Sequence, residues 1–471
     1  MTAEVQRRSP APARATATTP PAAGAWIAQR ADAAAFGVLL TAVVAIPVTF
    51  SIATSDVFAM PRTVVAVGLA TLLLVLLGAR WIASGYRLRD LRWSPLAWAV
   101  AVFAGWNVLA GALSIDPRHS LIGEPRQFQG LGTTMAYVVY LLAGWATVRG
   151  PRRQSLLLGA CAIGAAVVST YAVIQGADLD PIWTGDHERV FSTIGQANAL
   201  AAYLVLAVPL TLALGIRRHL AVQVLITGLV VLQLVALAFT LSRGGFLGAG
   251  VAAAALLALL WRRRREVISR HAIAIVGAAA IVGGTLVLGV PDLRDGAERA
   301  LDRIVRPGEV EEASTSAHLD QWAVGLAIVA DHAVVGAGQE TYPLLFDDYR
   351  DTVIEPDRAR VWRKYRPESP HNHYLAIAGG AGVPALVAYL AIIGLVVWRA
   401  ARSLSDVDRR TLVVGACIVA AIAGHVVTDG FMTAETAGSV LFWTLLGVAA
   451  ALGGRSGGGT DLPGPVHQTQ E

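Results

Sequence analysis

A long apolar run decides the fold class of this protein. Residues 220–241, LAVQVLITGLVVLQLVALAFTL, carry no charged side chain. An α-helix rises about 1.5 Å per residue, and a helix needs about 20 mostly apolar residues to cross the hydrocarbon core of a bilayer. This run therefore predicts a transmembrane helix, and similar runs recur along most of the chain.

Twelve such runs predict an all-α polytopic membrane protein. Several of them are rich in alanine and glycine, which allows helices to pack closely in lipid. The predicted spans are Ala33–Ala53, Thr63–Ala79, Pro95–Leu113, Leu131–Val148, Ser155–Ile174, Ala199–Ile216, Leu220–Leu241, Gly244–Trp261, Ala272–Val290, Tyr374–Trp398, Leu412–Val427 and Ala437–Leu452.

The composition supports this fold class and excludes others. Hydrophobic residues make up 55% of the 471 residues and charged residues 15%, whereas soluble domains are about 25% charged. An ordinary cytosolic enzyme, a disordered chain and a nucleic-acid-binding protein are therefore excluded. The two cysteines, Cys161 and Cys417, fall inside predicted spans, which leaves no zinc-type spacing and no thiol for an outer disulfide.

The basic residues predict the orientation. If both termini are cytoplasmic, 23 of the 38 Lys and Arg residues fall in cytoplasmic segments and 5 in the short outer loops. Such an excess is typical of the cytoplasmic loops of membrane proteins. The predicted regions are a disordered cytoplasmic tail (1–30), transmembrane helices 1–9 (31–290), an extracytoplasmic loop (291–372), transmembrane helices 10–12 (373–452) and a flexible cytoplasmic tail (453–471).

The extracytoplasmic loop has a helical pattern of its own. Apolar residues at Leu319, Trp322, Leu326 and Val329 recur with helical spacing and predict an amphipathic helix that stops at the glycines of residues 336–338. A loop of this length is uncommon in a compact domain. It forms either a small cap on the membrane face or a lid over a site.

The first candidate for chemistry is TLSRGG, residues 240–245, at the outer start of a predicted span. A helix N-terminus offers unpaired N–H donors and the positive end of the helix dipole. Ser242 is a suitable N-cap, and the planar guanidinium of Arg243 suits phosphate oxygens. The combination predicts a phosphate site at the membrane surface. In the alternative, Arg243 reaches lipid headgroups, and Gly244 and Gly248 form a helix-packing pair.

The second candidate is SPHNHY, residues 369–374, which enters the tenth predicted span from the same side. A helix N-terminus shifts histidine toward its neutral form, so His371 can act as a general base on an acceptor hydroxyl. In the alternative, His371 and Asn372 only cap the helix. His-x-His without a matching carboxylate pattern is a weak metal motif, and we expect no metal here.

Other outer arginines are candidates for binding an anion. The stretch 350–366 has a local excess of three positive charges in a loop whose net charge is −6, so it can steer an anionic substrate. A solvated surface is the alternative for each residue. The candidates are Arg126, Arg189, Arg350 and Arg360.

Weaker candidates lie near the outer ends of other spans. His425 and Asp429, at i and i+4, can face each other as a proton relay, a structural pair or a lining of the acceptor site. Asn198 is predicted to cap the sixth span. Asp178–Asp180 has the Asp-x-Asp pattern of sugar-nucleotide transferases, but nucleotide donors are not expected on the outer face, so we interpret it as a loop.

Five patches together resemble the O-antigen ligase family and the related Wzy-type polymerases. They are GEPRQFQG (123–130), STIGQANALA (192–201), TLSRGGFLG (240–248), HLDQWAVGLAIVADHAVVGAG (318–338) and HNHYLAIAGGAG (371–382). Their order, their outer placement and the long loop before the last patch also match that family.

The resemblance implies an integral-membrane glycosyltransferase of the cytoplasmic (inner) membrane with a GT-C-like fold. Such an enzyme transfers a glycan from a polyprenyl-diphosphate carrier, such as undecaprenyl diphosphate, to a glycan, lipid or protein acceptor outside the bilayer, in cell-envelope polysaccharide biosynthesis. No metal, cofactor or nucleotide donor is implied. By the resemblance, Arg243 would hold the donor diphosphate and His371 would activate the acceptor.

One departure from the family pattern concerns the loop helix. Where an arginine is expected a few residues before Trp322, this chain has His318. Histidine does not replace a permanently charged, bidentate fork. Either His318 fills the role differently, or Arg350 or Arg360 supplies the missing charge.

The sequence leaves the activity open between a ligase and a polymerase, which differ in the acceptor. A membrane transporter that uses His425 and Asp429 is a less favoured alternative, because the two related halves typical of transporters are not apparent in the sequence. A catalytically idle scaffold for envelope assembly is a third hypothesis.

Overall fold

The computed structural model describes residues 22–85, 93–183, 189–215, 219–263, 309–405 and 407–453. Within these ranges the protein consists of α-helices, short 3₁₀ turns and loops, without a β-strand. The helices are α1 (Ala22–Val48), α2 (Ala59–Ala83), α3 (Pro95–Ala112), α4 (Pro117–Ile122), α5 (Leu131–Thr147), α6 (Gly150–Gly176), α7 (Ala197–Leu214), α8 (Leu220–Phe239), α9 (Arg243–Leu260), α10 (Glu309–Asp331), α11 (Tyr342–Val353), α12 (Pro356–Trp362), α13 (His373–Ser403), α14 (Arg409–Thr428) and α15 (Thr436–Gly453).

Ten of these helices are long and apolar enough to cross a membrane, which confirms the prediction of an all-α polytopic membrane protein. They are α1, α2, α3, α6, α7, α8, α9, α13, α14 and α15, and α5 is a shorter apolar helix at the fourth predicted span. The predicted span Ala272–Val290 lies outside the described residues, as do most of the two predicted tails.

Helix α1 begins earlier than predicted. Its first residue is Ala22, so part of the segment expected to be a disordered tail is helical. Five of the eleven residues from Ala22 to Asp32, just before the predicted span, are alanine. Because alanine has the highest helix propensity, the helix extends beyond the strictly apolar segment.

Glycines allow α9 and α14 to cross closely. A Cβ atom added to Gly248 of α9 would lie 2.8 Å from the carbonyl oxygen of Gly424 in α14 and 2.7 Å from Cγ2 of Thr428. No residue with a side chain fits such a crossing without moving the helices apart. The crossing therefore holds the start of α9 beside the end of α14.

Helices α10, α11 and α12 form a cap from the described part of the predicted extracytoplasmic loop. Their shared core consists of Val324, Ile328, Phe346, Ile354 and Ala359. This packing confirms a helix in the loop but shows that the predicted apolar face was wrong. Two side chains of the predicted stripe are exposed, Leu319 at 53% and Leu326 at 57% of full exposure, whereas Trp322 and Val329 are half-buried.

The error in the predicted face has a physical reason. The helix also has apolar residues at Val324 and Ile328, and both the cap helix α11 and the first part of α13 pack on that side. The helix therefore has two apolar faces, and contacts with other helices determine which of them is buried. The spacing of apolar residues alone does not show this. The helix also ends at Asp331, and a turn leads to the glycines at which it was predicted to stop.

Backbone hydrogen bonds attach the cap to α13. The N–H of Ala337 donates to the carbonyl of Gly379 at 2.8 Å, and the N–H of Gly338 donates to the carbonyl of Gly380 at 2.9 Å. Helix α13 is broken at Gly382, whose φ is +83°, and this break leaves space for the incoming segment. The cap is thereby fixed against the helix that begins at His373.

Candidate functional site

Four segments of the chain enclose a cavity of about 240 Å³. They are residues 189–198 at the start of α7, residues 241–245 at the start of α9, residues 315–322 of α10 and residues 428–432 after α14. We call this space the arginine cavity. Five residues predicted from the sequence line it, namely Arg189, Asn198, Ser242, Arg243 and His318.

A tight turn between α8 and α9 presents Arg243 to this cavity. Ser242 is the N-cap of α9, and its Oγ accepts a hydrogen bond from the N–H of Gly245 at 3.2 Å. Leu241 has a φ of +50°, in the left-handed region that residues other than glycine rarely adopt. Ser242 is therefore the N-cap, as predicted, and the turn places the positive end of the α9 dipole at the cavity.

A second guanidinium lies beside this turn. Nε of Arg189 donates to the carbonyl oxygen of Thr240 at 2.8 Å, and its Nη2 donates to Oδ1 of Asn198 at 2.6 Å. The prediction that Asn198 caps the helix was wrong, because α7 begins at Ala197 with Gln196 in the N-cap position. Asn198 instead points its side chain to Arg189, which orients that guanidinium toward the α8–α9 turn.

Helix α10 contributes a polar edge to the cavity. Nδ1 of His318 and Nε1 of Trp322 are buried and have no hydrogen-bond partner among the described residues. Burial lowers the pKa of His318, so its imidazole is uncharged at neutral pH. The chain thus offers a neutral imidazole here, where a permanently charged arginine was expected by resemblance.

His371 lies directly beside His318. The two imidazole rings meet edge to face, with 5.7 Å between their centroids. His371 has a φ of +47° and immediately precedes Asn372, whose Oδ1 accepts the N–H of Leu375 at 3.1 Å as the N-cap of α13. His371 therefore does not cap the helix itself, and its ring is held one side chain away from the arginine cavity.

The surroundings of His371 disfavour its charged form. Burial lowers its pKa to about 4, and the neighbouring His318 adds to this effect. A neutral imidazole has a nitrogen lone pair available to accept a proton. At neutral pH the ring of His371 is therefore in the form that can accept a proton.

Three predicted arginines do not line the arginine cavity. Arg126 is exposed and pairs with Glu368 at 2.9 Å. Arg350 pairs with Asp347 at 2.5 Å and with Asp351 at 3.0 Å. Arg360, at 73% exposure, pairs with Asp357 at 3.3 Å. Neighbouring carboxylates therefore largely neutralise the positive charges counted in residues 350–366.

The predicted pair His425 and Asp429 belongs to a buried polar network. Nε2 of His425 lies 3.5 Å from Oδ1 of Asp429, and the hydroxyl of Tyr389 donates to Oδ2 of Asp429 at 2.9 Å. The carbonyl of Asp429 also accepts the N–H of His373 at 2.8 Å. This network ties the end of α14 to the start of α13, directly next to His371.

A buried ion pair that was not predicted from the sequence supports the site. Arg62 of α2 is 1% exposed and pairs with Glu435, and its Nη2 donates to the carbonyl of Thr193 at 2.6 Å. A carboxylate oxygen of Glu435 accepts the N–H of Ala437 at 3.0 Å at the start of α15. The signal available in the sequence was an arginine within the first turn of an apolar helix, which needs a partner when it is buried.

Metal-binding geometry is not apparent in the described part of the chain. Within those residues, no three His, Cys, Asp or Glu side chains are grouped so that they could hold a metal ion. The His-x-His of residues 371–373 points its two imidazoles to different neighbours, His318 and Tyr389.

Comparison with known proteins identifies one family. The family model described as O-antigen ligase matches residues 228–390. The matched segment includes the α8–α9 turn, the cap and the first part of α13, so it contains Arg243, His318 and His371. No curated protein matches the chain.

Proposed function

We propose that this chain, which belongs to the O-antigen ligase family by its match over residues 228–390, transfers a glycan from a polyprenyl-diphosphate carrier to an acceptor. The family assignment supports a ligase-like or polymerase-like role in polysaccharide biosynthesis. The observation that supports a polyprenyl-diphosphate donor is the arginine cavity, in which two guanidiniums and a helix N-terminus meet beside a neutral histidine.

The donor diphosphate occupies the arginine cavity in this proposal. Arg243, Arg189 and the first N–H groups of α9 together provide planar and dipolar positive charge for phosphate oxygens. When the bond between the anomeric carbon and the diphosphate oxygen breaks, negative charge develops on that oxygen. Positive groups already fixed there lower the barrier, and losing one such contact typically costs about 10²–10³ in rate.

His371 accepts the proton of the acceptor hydroxyl. The hydroxyl oxygen attacks the anomeric carbon, the diphosphate carrier leaves with the bonding electron pair, and the proton passes to the neutral imidazole. Backside attack inverts the anomeric centre. The edge-to-face contact with His318 keeps the His371 ring next to the cavity in which the leaving group is bound.

His318 then has a different role from the arginine that it replaces. Its unpartnered Nδ1 can make a hydrogen bond to a phosphate or sugar oxygen, while Arg189 supplies the second permanent charge. Arg350 and Arg360 are not needed in this arrangement, because their local carboxylate partners already offset their charges.

The proposed setting is the outer face of the cytoplasmic membrane, with both termini in the cytoplasm. The excess of Lys and Arg in the loops at the opposite end of the spans supports this orientation. A lipid-linked donor then diffuses in the bilayer and presents its diphosphate at the headgroup level, where the arginine cavity would lie.

The direct test is a transfer assay in membranes that contain the full chain and a purified polyprenyl-diphosphate-linked oligosaccharide. Arg243→Ala is expected to lower the rate by about 10²–10³, because it removes a positive charge that would stabilise the leaving diphosphate. Arg360→Ala is the matched control and is expected to keep the wild-type rate. Wild-type transfer by Arg243→Ala, or equal losses in both variants, would contradict the proposal.

Ligase and polymerase differ in what accumulates without the enzyme. A deletion strain that accumulates single-repeat lipid-linked donors points to a polymerase, whereas one that accumulates finished lipid-linked polymers points to a ligase. Analysis of the lipid-linked glycans by size distinguishes the two directly.

A further inference from the structure

One side of the cap helix α10 is apolar although it is largely exposed. Leu319 and Leu326 are large exposed side chains on this side, Trp322 lies half-buried between them, and Thr315 and Ala330 are exposed toward its two ends. These five residues recur at intervals of three or four positions, so they share one side of the helix. None of them is charged. We call this side the α10 face.

The carboxylates of this part of α10 contact the other cap helices. Asp320 is buried, pairs with Arg358 at 3.2 Å and accepts the indole N–H of Trp362 in α12 at 3.1 Å. Asp331 accepts the hydroxyl of Tyr349 in α11 at 2.8 Å. A helix surface that faces water is normally polar. The α10 face therefore lacks the character of a surface in water, whereas the opposite side of the helix carries the charges.

One end of the α10 face lies at the ends of two spanning helices. Leu319 and Trp322 line the arginine cavity together with Arg243, which is the first residue of α9. The ring of Trp322 also lies 6.4 Å, between centroids, from the ring of Phe431 in the turn after α14. This end of the face is therefore level with the start of α9 and the end of α14.

The other end of α10 lies beside the spanning parts of α3 and α13. The N–H of Val383 donates to the carbonyl of Ala333, just after α10, at 2.8 Å. Val383 directly follows the break in α13, and residues 383–403 are long enough by themselves to cross a bilayer. The indole N–H of Trp106, six residues before the end of α3, donates to the carbonyl of Val334 at 3.1 Å. Helix α10 thus runs along the ends of the spans and does not rise away from them.

The exposed apolar surface continues from the end of α10 onto α13. Val334 is exposed, and so are Val383, Val387 and Leu390, which share one side of α13. A continuous exposed apolar patch marks contact with a membrane or with another protein. Because this patch continues along a helix that crosses the membrane, acyl chains are the partner that fits both of its parts.

We infer that the α10 face lies in the leaflet on the cap side of the membrane and contacts the acyl chains of the lipids. A helix of this kind buries its apolar face about 5–10 Å into the boundary between headgroups and acyl chains. The inference goes beyond the proposed function, because it assigns a lipid-contact surface that depends on neither the donor nor the reaction. The arginine cavity, whose wall includes Leu319 and Trp322, then borders on lipid along α10.

Spin-label accessibility tests the inference. The full chain with Leu326→Cys is labelled with a nitroxide in detergent and reconstituted, one chain per disc, in nanodiscs of phosphatidylethanolamine and phosphatidylglycerol. The native Cys161 and Cys417 are buried, so the label is expected at the new cysteine. Collisions of the label with oxygen, which concentrates in hydrocarbon, are compared with collisions with a water-soluble nickel chelate. We expect oxygen to dominate at Leu326→Cys.

Two controls calibrate the measurement. Val387→Cys provides an exposed position on the span α13, and Arg360→Cys provides an exposed position on the charged helix α12. The ratio of oxygen to nickel collisions at Leu326→Cys is expected to lie closer to that of Val387→Cys than to that of Arg360→Cys. Leu319→Cys repeats the measurement at the end of the face next to the arginine cavity. Both leucines are exposed, so their replacement leaves no cavity in the core.

Two results would overturn the inference. A ratio at Leu326→Cys like that of Arg360→Cys, or at Leu319→Cys if the first variant does not fold, would show that the α10 face lies in water. Few collisions with either reagent would show that protein, such as a second copy of the chain in the same disc, covers the face. Neither result depends on glycan transfer, so the inference and the proposed function fail separately.

Discussion

At the scale of single residues, His371 combines an unusual backbone conformation with an unusual proton affinity. Its φ is +47°, and its ring packs edge to face against that of His318. Strained backbone of this kind persists only where the surrounding structure holds it in place, and it is concentrated at functional sites. The strain at His371 is therefore consistent with a ring that is oriented for chemistry.

The pH dependence of transfer follows from the lowered pKa of His371. An ordinary imidazole, with a pKa near 6.5, is half protonated near that pH, but the pKa of His371 is lowered to about 4 by burial and by His318. The base stays neutral as the pH falls from 8 to 5, and it becomes protonated only near pH 4. We expect kcat/KM for the lipid-linked donor to be flat down to about pH 5 and to fall below it.

A variant makes this prediction specific to the imidazole. His371→Ala is expected to lower the rate by about 10²–10⁴, the usual contribution of a general base, and to abolish the acidic limb of the profile. An acidic limb centred near pH 6.5 in the wild type, or a limb that persists in His371→Ala, would show that another group controls the rate.

The candidate site could be predicted from the sequence where a residue type and its local position determine the chemistry. Arg243 and His371 each stand at the start of an apolar helix, and that position was visible in the sequence. Arg350 and Arg360 were chosen from a count of charges, which does not show that Asp351 and Asp357 lie next to them in space. The contact between His318 and His371 could not be predicted, because 52 residues, including two complete helices, lie between them in the chain.

At the scale of helices, the crossing of α9 and α14 positions Arg243. Gly248 makes this crossing possible, and Gly250, one half-turn away, faces open space, since no atom lies within 4 Å of a Cβ added there. The same helix thus contains a packed glycine and an unpacked one.

Replacement by alanine is expected to have opposite effects at these two glycines. Gly248→Ala is expected to lower the thermal unfolding temperature in detergent and the transfer rate, because the new methyl group meets Thr428 and the Gly424 carbonyl. Gly250→Ala is expected to keep or raise the unfolding temperature, because alanine favours a helix over glycine by up to about 1 kcal/mol. Equal effects of both changes would show that the crossing does not limit stability.

Glu340 links the cap to the loop at residues 123–130 and makes stability depend on pH. Burial raises its pKa to about 8, although the N–H groups of Gln129 and Glu124 partly offset this effect. In the unfolded chain the carboxyl titrates near 4.5, so the unfolded state loses the proton first as pH rises. The contribution of Glu340 to stability is therefore greatest below pH 4.5 and decreases up to about pH 8.

Glu340→Gln tests this coupling, because the amide keeps an oxygen that accepts both N–H groups but cannot ionise. We expect the variant to unfold at a higher temperature than the wild type at pH 8 and at the same temperature at pH 4.5. Glu355→Gln, on the exposed side of the cap, is the control and is expected to show no such difference. A constant offset of Glu340→Gln at both pH values would refute the raised pKa.

The helices themselves were predictable because each apolar run is long enough to specify one element. The thickness of the bilayer determines the length of a spanning helix, and the run of apolar residues determines its position in the sequence. The described spans therefore lie where the sequence predicted them. The cap helix α10 was predicted with the wrong face, because Val324 and Ile328 became buried only through contact with α11 and α13. Contacts between distant segments are not encoded in the period of one segment.

At the scale of the whole molecule, the cap and the α13–α14 connection must face opposite sides of the membrane if the arginine cavity lies on the outer face. Tyr365 is 70% exposed in the cap, and Ser405 is exposed in the connection between α13 and α14. The native cysteines, Cys161 and Cys417, are both buried, so their background labelling is expected to be low.

Single cysteines at these positions test the orientation. With a membrane-impermeant maleimide on intact spheroplasts, Tyr365→Cys is expected to label at once. Ser405→Cys is expected to label only after the membrane is permeabilised. The reverse pattern would place the arginine cavity on the cytoplasmic side and would contradict the positive-inside assignment.

In the proposed mechanism, one lipid-linked diphosphate binds in the arginine cavity, within reach of His371. The most direct measurement is an experimental structure of the full chain with polyprenyl diphosphate bound. We expect phosphate oxygens within hydrogen-bond distance of the guanidiniums of Arg243 and Arg189, with the terminal phosphate on the side of His318 and His371. Diphosphate density at the opposite end of the spans would contradict this binding site.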